Sequence, residues 1–95
     1  MTFTKILETD CDLIKFRSQN GKFQINIGYA NEENKNAQFF VSLFAGPSLD
    51  WVGSYDWDKY NMLCPMNTIP EEYFEMVKEV AATEGFNLQQ DVYYF

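Results

Sequence analysis

The dipeptide Asn20-Gly21 lies between two runs of alternating apolar and polar residues, and it constrains the fold more than any other feature. Asn-Gly is the preferred central pair of a type I′ turn, because both positions need a positive φ angle. Pairing outward from the turn places Phe16 opposite Ile25, and directly paired residues share a face of the sheet. The sequence therefore predicts a hairpin over residues 12–29. Its apolar face comprises Ile14, Phe16, Phe23, Ile25, Ile27 and Tyr29, and its polar face comprises Lys15, Arg17, Gln24 and Asn26.

Two further segments are typical of strands. Residues 3–8 form a short strand-like run, and Thr9 with Asp10 turns the chain toward the hairpin. Residues 39–44 are aromatic, β-branched and almost continuously apolar, which predicts a strand that is central in the sheet or covered on both faces. The polar segment 30–38 between the hairpin and this strand indicates an exposed loop.

A helix is predicted from about Ile69 to Glu84. Thr68 followed by Glu71 matches a capping box, and Pro70 lies in the first turn, where its missing N–H does no harm. Gly85 is placed to end the helix. The apolar residues Tyr73, Met76, Val77, Val80 and Ala81 share one helical face, while glutamates occupy the other.

We expect an α+β fold in one domain, residues 1–95. The sheet would be antiparallel, with four to five strands in the order β-β-β-β-α-β and one helix packed on a face. Val92 to Phe95 has strong β propensity and would supply the last strand. An all-β barrel with one helix laid across it is the alternative architecture.

The chain contains no histidine, which excludes several classes of enzyme. Without imidazole it has no Ser-His-Asp or Cys-His nucleophile, no histidine general base and no histidine-ligated zinc. Asp56-Trp57-Asp58 offers alternating oxygen ligands, but the glycine and the bidentate acid of an EF-hand loop are missing. We therefore expect no enzyme activity, no cofactor and no metal.

Negative charge is concentrated in the second half of the chain. Residues 1–49 contain five acids and five bases, whereas residues 50–95 contain nine acids and two bases and carry the whole net charge of −7. Such a field repels nucleic-acid phosphates and anionic membranes. It attracts basic protein surfaces, although surplus acid can also serve only for solubility.

The sequence favours a reducing, cytoplasmic location. Cys11 and Cys64 match no zinc, redox or disulfide-rich spacing, so we expect free thiols. The N-terminal residues lack the pattern of a secretion signal, and no run approaches the roughly 20 apolar residues that span a bilayer.

The segment from Pro47 to Thr68 is the strongest candidate for function. It contains both tryptophans and interleaves aromatic residues with carboxylates, a combination suited to arginine and lysine side chains. Together with the acidic helix face it predicts a protein-binding site. The candidate residues are Asp50, Trp51, Tyr55, Asp56, Trp57, Asp58, Tyr60, Glu72, Glu75 and Glu79.

Two interpretations of these residues remain open. Trp51 and Trp57 can instead plug the end of the sheet, with residues 52–55 as a further strand, and the repeat of Glu71, Glu75 and Glu79 can be a solvated helix face. That glutamate repeat can also imitate the spacing of nucleic-acid phosphates.

Three functions compete on this evidence. The first is a small acidic inhibitor of a basic, nucleic-acid-handling protein, of the toxin-immunity or phage anti-defence type. This comparison rests on size and charge alone. The second is an assembly subunit, for example a homodimer paired through the edge at Val92 to Phe95. The third is a small-ligand-binding domain.

Overall fold

A computed structural model describes residues 2–10, 12–30, 33, 35–60 and 66–89. Six antiparallel strands lie in one sheet in chain order, and a helix follows them. The elements are β1 (Phe3–Glu8), β2 (Leu13–Ser18), β3 (Phe23–Tyr29), β4 (Gln38–Ala45), β5 (Asp50–Asp58), β6 (Met66–Asn67) and α1 (Glu71–Ala82). The α+β class is confirmed, with six strands instead of four to five, because β5 and β6 form where only an irregular segment with an optional strand was expected. The strand expected at Val92 to Phe95 lies outside the described residues. The same is true of both cysteines, Cys11 and Cys64.

The hairpin between β2 and β3 has the predicted register but a different turn. Phe16 pairs with Ile25 and Ile14 with Ile27, as expected. The prediction of a type I′ turn is wrong, because Gly21 has a positive φ of 73° whereas the φ of Asn20 is not positive. Gly21 N–H donates to Ser18 O at 2.9 Å, so the turn begins one residue earlier than predicted. A single left-handed glycine after such a turn closes a slightly longer hairpin loop.

The sheet has two unlike faces. One face, which we call the core face, packs against α1 and contains the fully buried Ile25, Ile27 and Val41. The opposite face, which we call the open face, carries rows of side chains that run straight across paired strands. The first row is Leu13, Gly28, Phe40, Asp56 and Met66, the second is Lys15, Asn26, Ser42 and Ser54, and the third is Arg17, Gln24, Phe44 and Trp51.

Helix α1 begins two residues later than predicted and without the predicted capping box. Pro70 is the N-cap residue, and no side chain caps the helix. Thr68 instead bonds to β5, since its hydroxyl accepts from Ser54 N–H at 2.9 Å. The glycine stop is confirmed: Gly85 has φ 84°, and Phe86 N–H donates to Ala81 O at 3.1 Å, as in a Schellman motif.

The connection into α1 crosses β5 at Gly53. A Cβ atom on Gly53 would lie 2.5 Å from Thr68 O and 2.9 Å from Ile69 Cα, so only glycine lets the backbone pass this closely. This crossing leads the chain onto the core face, where Phe74 and Val77 of the helix are buried. The helix consequently covers one side of the sheet and leaves the other side exposed.

Both sheet edges of the described fold are poor templates for a further strand. The register of β1 against β2 shifts between Lys5 and Leu7, and such bulges disfavour edge-to-edge pairing. At the other edge β6 is two residues long. Contacts with another protein are therefore better made through a face than through these edges.

Candidate protein-binding face

The open face exposes large apolar side chains. Phe40 is 46 %, Trp51 59 % and Met66 54 % exposed, and all three lie on this face. The described residues leave about half of each of these side chains in contact with solvent. Burial of this apolar surface against a partner would be favourable. Large exposed apolar side chains that share one face with polar neighbours favour a protein-interaction surface.

Trp51 is held on the open face by hydrogen bonds. Its indole Nε1 donates to Ser54 Oγ at 2.9 Å, and Ser54 Oγ lies 3.0 Å from Ser42 Oγ on β4. Phe44 is its direct cross-strand partner. The ring is therefore fixed before any partner arrives, which lowers the entropy lost on binding.

A β-bulge explains why Trp51 lies on the open face. Trp57 and Gly53 pair with core-face residues, and strict alternation would send Trp51 to the core face as well. The register shifts between Trp51 and Gly53, so that Val52 is the additional residue and Trp51 pairs with Phe44. The bulge thus turns one of the two tryptophans outward.

Phe40 is positioned by Gly28, its partner on β3, which has no side chain to occupy the space beside it. A Cβ atom on Gly28 would lie 2.2 Å from Phe40 Cε1, so the ring occupies the space directly above Gly28. Leu13 follows Gly28 in the same row, on β2. The phenyl ring and Leu13 form an apolar floor at this end of the open face.

An open cleft of about 640 Å³ lies over this floor. Its lining combines the apolar Leu13 and Phe40 with three carboxylates, Asp12, Asp56 and Asp58. Asp58 accepts a hydrogen bond from Tyr60 N–H at 2.9 Å, and Asp12 accepts one from the Thr9 hydroxyl at 3.0 Å. The cleft thus presents negative charge beside an aromatic surface.

Asp56 is the least compensated of the three carboxylates. It lies between Phe40 and Met66 in the first row, and partial burial raises the pKa of its carboxyl. Within the described residues, no donor hydrogen bonds to this carboxylate. A cation brought by another molecule would therefore stabilise the charged form of Asp56.

Among the residues that the structure describes, positive charge on the open face comes from β2. Lys15 and Arg17 lie in the second and third rows, and Arg17 Nη2 donates to Gln24 Oε1 at 2.8 Å. The cleft carboxylates are nearer the opposite end of the strands. The face accordingly has an acidic end and a basic corner, and each would select the opposite charge on a partner.

The structure divides the predicted site residues among three places. Trp51 and Asp56 lie on the open face, Asp58 lines its cleft, Asp50 is exposed at the start of β5, and Tyr60 is exposed beyond its end. A second group lies in or against the core. The helix glutamates form the third group, and these exposed side chains are Glu72, Glu75 and Glu79.

Tyr55 and Trp57 belong to the core group. Tyr55 is 0 % exposed, stacks with Phe39, and its hydroxyl accepts from Gln89 N–H at 2.8 Å. This burial corrects the expectation that Tyr55 contacts a partner. Trp57 is half-buried against the core, and its Nε1 donates to Asn36 O at 3.1 Å. Alternation along β5 places both residues opposite to Asp56.

The open face and the helix glutamates lie on opposite sides of the sheet. A single flat interface therefore cannot include Asp56 and Glu75 together. That the segment and the acidic helix face both meet a basic partner stays a prediction. The sequence pattern did not single out five residues that line this face or its cleft: Asp12, Leu13, Gly28, Phe40 and Met66. The adjacent Phe39-Phe40 pair was the available signal, because alternation forces one of the two rings away from the core.

Among the described residues, no three potential ligand side chains cluster as a metal site. No helix in the described part of the chain is long and apolar enough to cross a membrane. Comparisons with protein-family models, with curated proteins and with solved structures give no match.

Proposed function

We propose that this chain is a protein-binding inhibitor that docks through its open face on a basic protein that handles nucleic acid. The target class corresponds to that of toxin-immunity and anti-defence proteins. The observation that supports the proposal best is the exposure of Phe40 and Trp51 on the open face, which α1 does not cover, beside Asp56.

The aromatic residues would supply most of the binding energy. Tryptophan and other large rigid rings are enriched at interface hot spots, where they bury much area for little lost entropy. Trp51 is already oriented by Ser54, and Phe40 is already seated over Gly28. The open face is thus organised before association, so little of the binding energy would be lost in ordering it.

The carboxylates would select the partner. A net charge of −7 accelerates encounter with a cationic surface, and the effect weakens as salt screens it. Asp56 has no hydrogen-bond donor among the described residues, so pairing with a partner cation would replace no existing bond. Proteins that bind nucleic-acid phosphates carry clustered lysine and arginine, which makes them the best-matched targets.

The experiment compares two variants with the same change in charge. Asp56→Asn combined with Asp58→Asn removes two charges from the open face, and Glu75→Gln combined with Glu79→Gln removes two from α1. Each protein, with the wild type, is used for affinity capture from the native host at low and high salt. The captured protein is then purified and titrated against all three.

We expect a protein of high pI that binds the wild type and the helix variant alike and binds the open-face variant at least tenfold more weakly, the effect of losing about 1.4 kcal/mol of charge-assisted contact. Loss of binding in the helix variant alone would overturn the proposal and favour the glutamate stripe of α1. A concentration-dependent homodimer whose dimer affinity falls on Trp51→Ala would overturn it in favour of an assembly subunit.

A further inference from the structure

We propose that the cleft at the acidic end of the open face is a socket for one arginine side chain of the partner, with the guanidinium stacked on Phe40 and hydrogen-bonded to Asp56. This inference rests on the proposed function and specifies the residue type that the partner presents. The occupant is an arginine of a protein, and other cations are outcomes of the test.

The register provides the geometry of the socket. Phe40 and Asp56 are directly opposed on β4 and β5 of the open face, a relation that places their Cβ atoms about 5 Å apart. Gly28 on the other side of Phe40 contributes no side chain, so the ring lies low over the sheet and leaves volume above it. A planar group resting on the ring would have its edge toward the Asp56 carboxylate.

The chemistry of the lining favours guanidinium over ammonium. Arginine presents a flat, weakly hydrated cation with donors on its edge, so it can stack on an aromatic face and bond a carboxylate at once. Lysine presents a compact, strongly hydrated charge that loses more solvation against apolar neighbours. Phe40 and Met66 are such neighbours, and they lie on either side of Asp56 in the first row.

Asp58 offers a second acceptor at the rim of the same cleft. One of its oxygens already accepts from Tyr60 N–H, which holds the carboxylate in place. Asp56 would consequently be the primary partner and Asp58 would add charge without being reorganised. Removing the charge of Asp56 should weaken binding more than removing that of Asp58.

The test is an NMR titration of the whole chain with N-acetyl hexa-arginine amide and, separately, with N-acetyl hexa-lysine amide. The two peptides carry the same charge, so their affinity ratio isolates the contribution of guanidinium. We expect shift changes centred on Leu13, Gly28, Phe40 and Asp56, and binding of the arginine peptide about fivefold tighter.

Three variants show which residues are responsible for the ratio of the two peptide affinities. Phe40→Leu retains an apolar residue and should reduce the arginine-to-lysine ratio to about one. Asp56→Asn should weaken the arginine peptide about tenfold. Glu75→Gln removes the same charge from α1 and should leave both affinities unchanged within about twofold, because it lies on the other side of the sheet.

The outcomes separate the socket from the broader function. Equal affinity for the two peptides at the open face, or a ratio that survives Phe40→Leu, overturns the arginine socket and leaves the docking face intact. Shift changes confined to α1 overturn both. Absence of shift changes with either peptide at millimolar concentration overturns the socket, while capture with the charge variants still decides the docking face.

Discussion

Replacing Gly53 by alanine should destabilise the fold more than replacing Gly28 by alanine. Both glycines lie in strands and neither has a positive φ, so the backbone tolerates alanine at each. The two new methyl groups meet different neighbours. At Gly53 the Cβ would lie 2.5 Å from Thr68 O and 2.8 Å from Thr68 C, both backbone atoms.

The backbone at Thr68 cannot give way alone, because it is tied to β5 through Ser54 and leads directly into α1. Relief requires displacing the helix entry, so we expect a loss of about 2–3 kcal/mol, in the range of overpacked sites. For a domain of this size that corresponds to a fall in Tm of roughly 10–20 °C.

The methyl group at Gly28 meets the end of a side chain instead. Its nearest neighbour is Phe40 Cε1 at 2.2 Å, and the Phe40 ring can rotate toward solvent. The cost should stay below about 1 kcal/mol. Urea unfolding of both variants at neutral pH, monitored by far-UV circular dichroism, measures the two losses in the free energy of unfolding. Equal losses, or a larger loss for Gly28→Ala, would refute the reasoning that the helix entry is fixed by a backbone crossing at Gly53.

Three further outcomes follow from buried and charged groups. Asp56→Asn should unfold at a slightly higher urea concentration than the wild type at neutral pH, because partial burial raises the pKa of Asp56 and disfavours its charged form. The difference in urea midpoint should shrink as pH falls through that pKa. A variant less stable than the wild type at neutral pH would contradict this sign. Tyr55→Phe should cost about 1 kcal/mol of folding stability by removing the acceptor of Gln89 N–H. Partner affinity, measured by titration calorimetry, should stay unchanged, because Tyr55 is fully buried and does not reach the open face. Hydrogen bonds to Glu84 and Glu8 raise the pKa of Lys5, so the stability that Lys5 contributes should be fully present below pH 10.5 and should disappear as pH rises beyond the raised pKa. Unfolding measured at alkaline pH should show this loss in the wild type and not in Lys5→Met.

The strands and the helix were largely predictable because their signals are local. Phe3–Glu8 was predicted with the observed bounds, and the pairing of Phe16 with Ile25 followed from the loop position and the alternation of side chains. Gly85 ended the helix because only glycine readily takes φ 84°. The turn type was wrong because the choice among short hairpin turns depends on strand twist as well as on the Asn-Gly pair.

Apart from the adjacent Phe39-Phe40 pair, the open face was not predictable from local signals. The outward position of Trp51 depends on a register shift between β4 and β5, which is decided by long-range pairing. Thr68 had the spacing of a capping residue, but its hydroxyl is used by Ser54 on another element. The exposure of Phe40 depends on α1 covering only one face. Residues 39–44 were predicted to form a strand that is central in the sheet or covered on both faces, and the central position is confirmed, since β4 lies between β3 and β5.

Hydroxyl-radical footprinting of the complex with the captured basic partner tests the docking face most directly, because it reports the exposure of individual side chains. Phe40, Trp51 and Met66 should be modified in the free protein and protected in the complex, whereas Tyr60, exposed beyond the end of β5, should be modified in both. Protection of the helix side at Tyr73 and Met76 with unchanged modification of Trp51 and Phe40 would contradict the account.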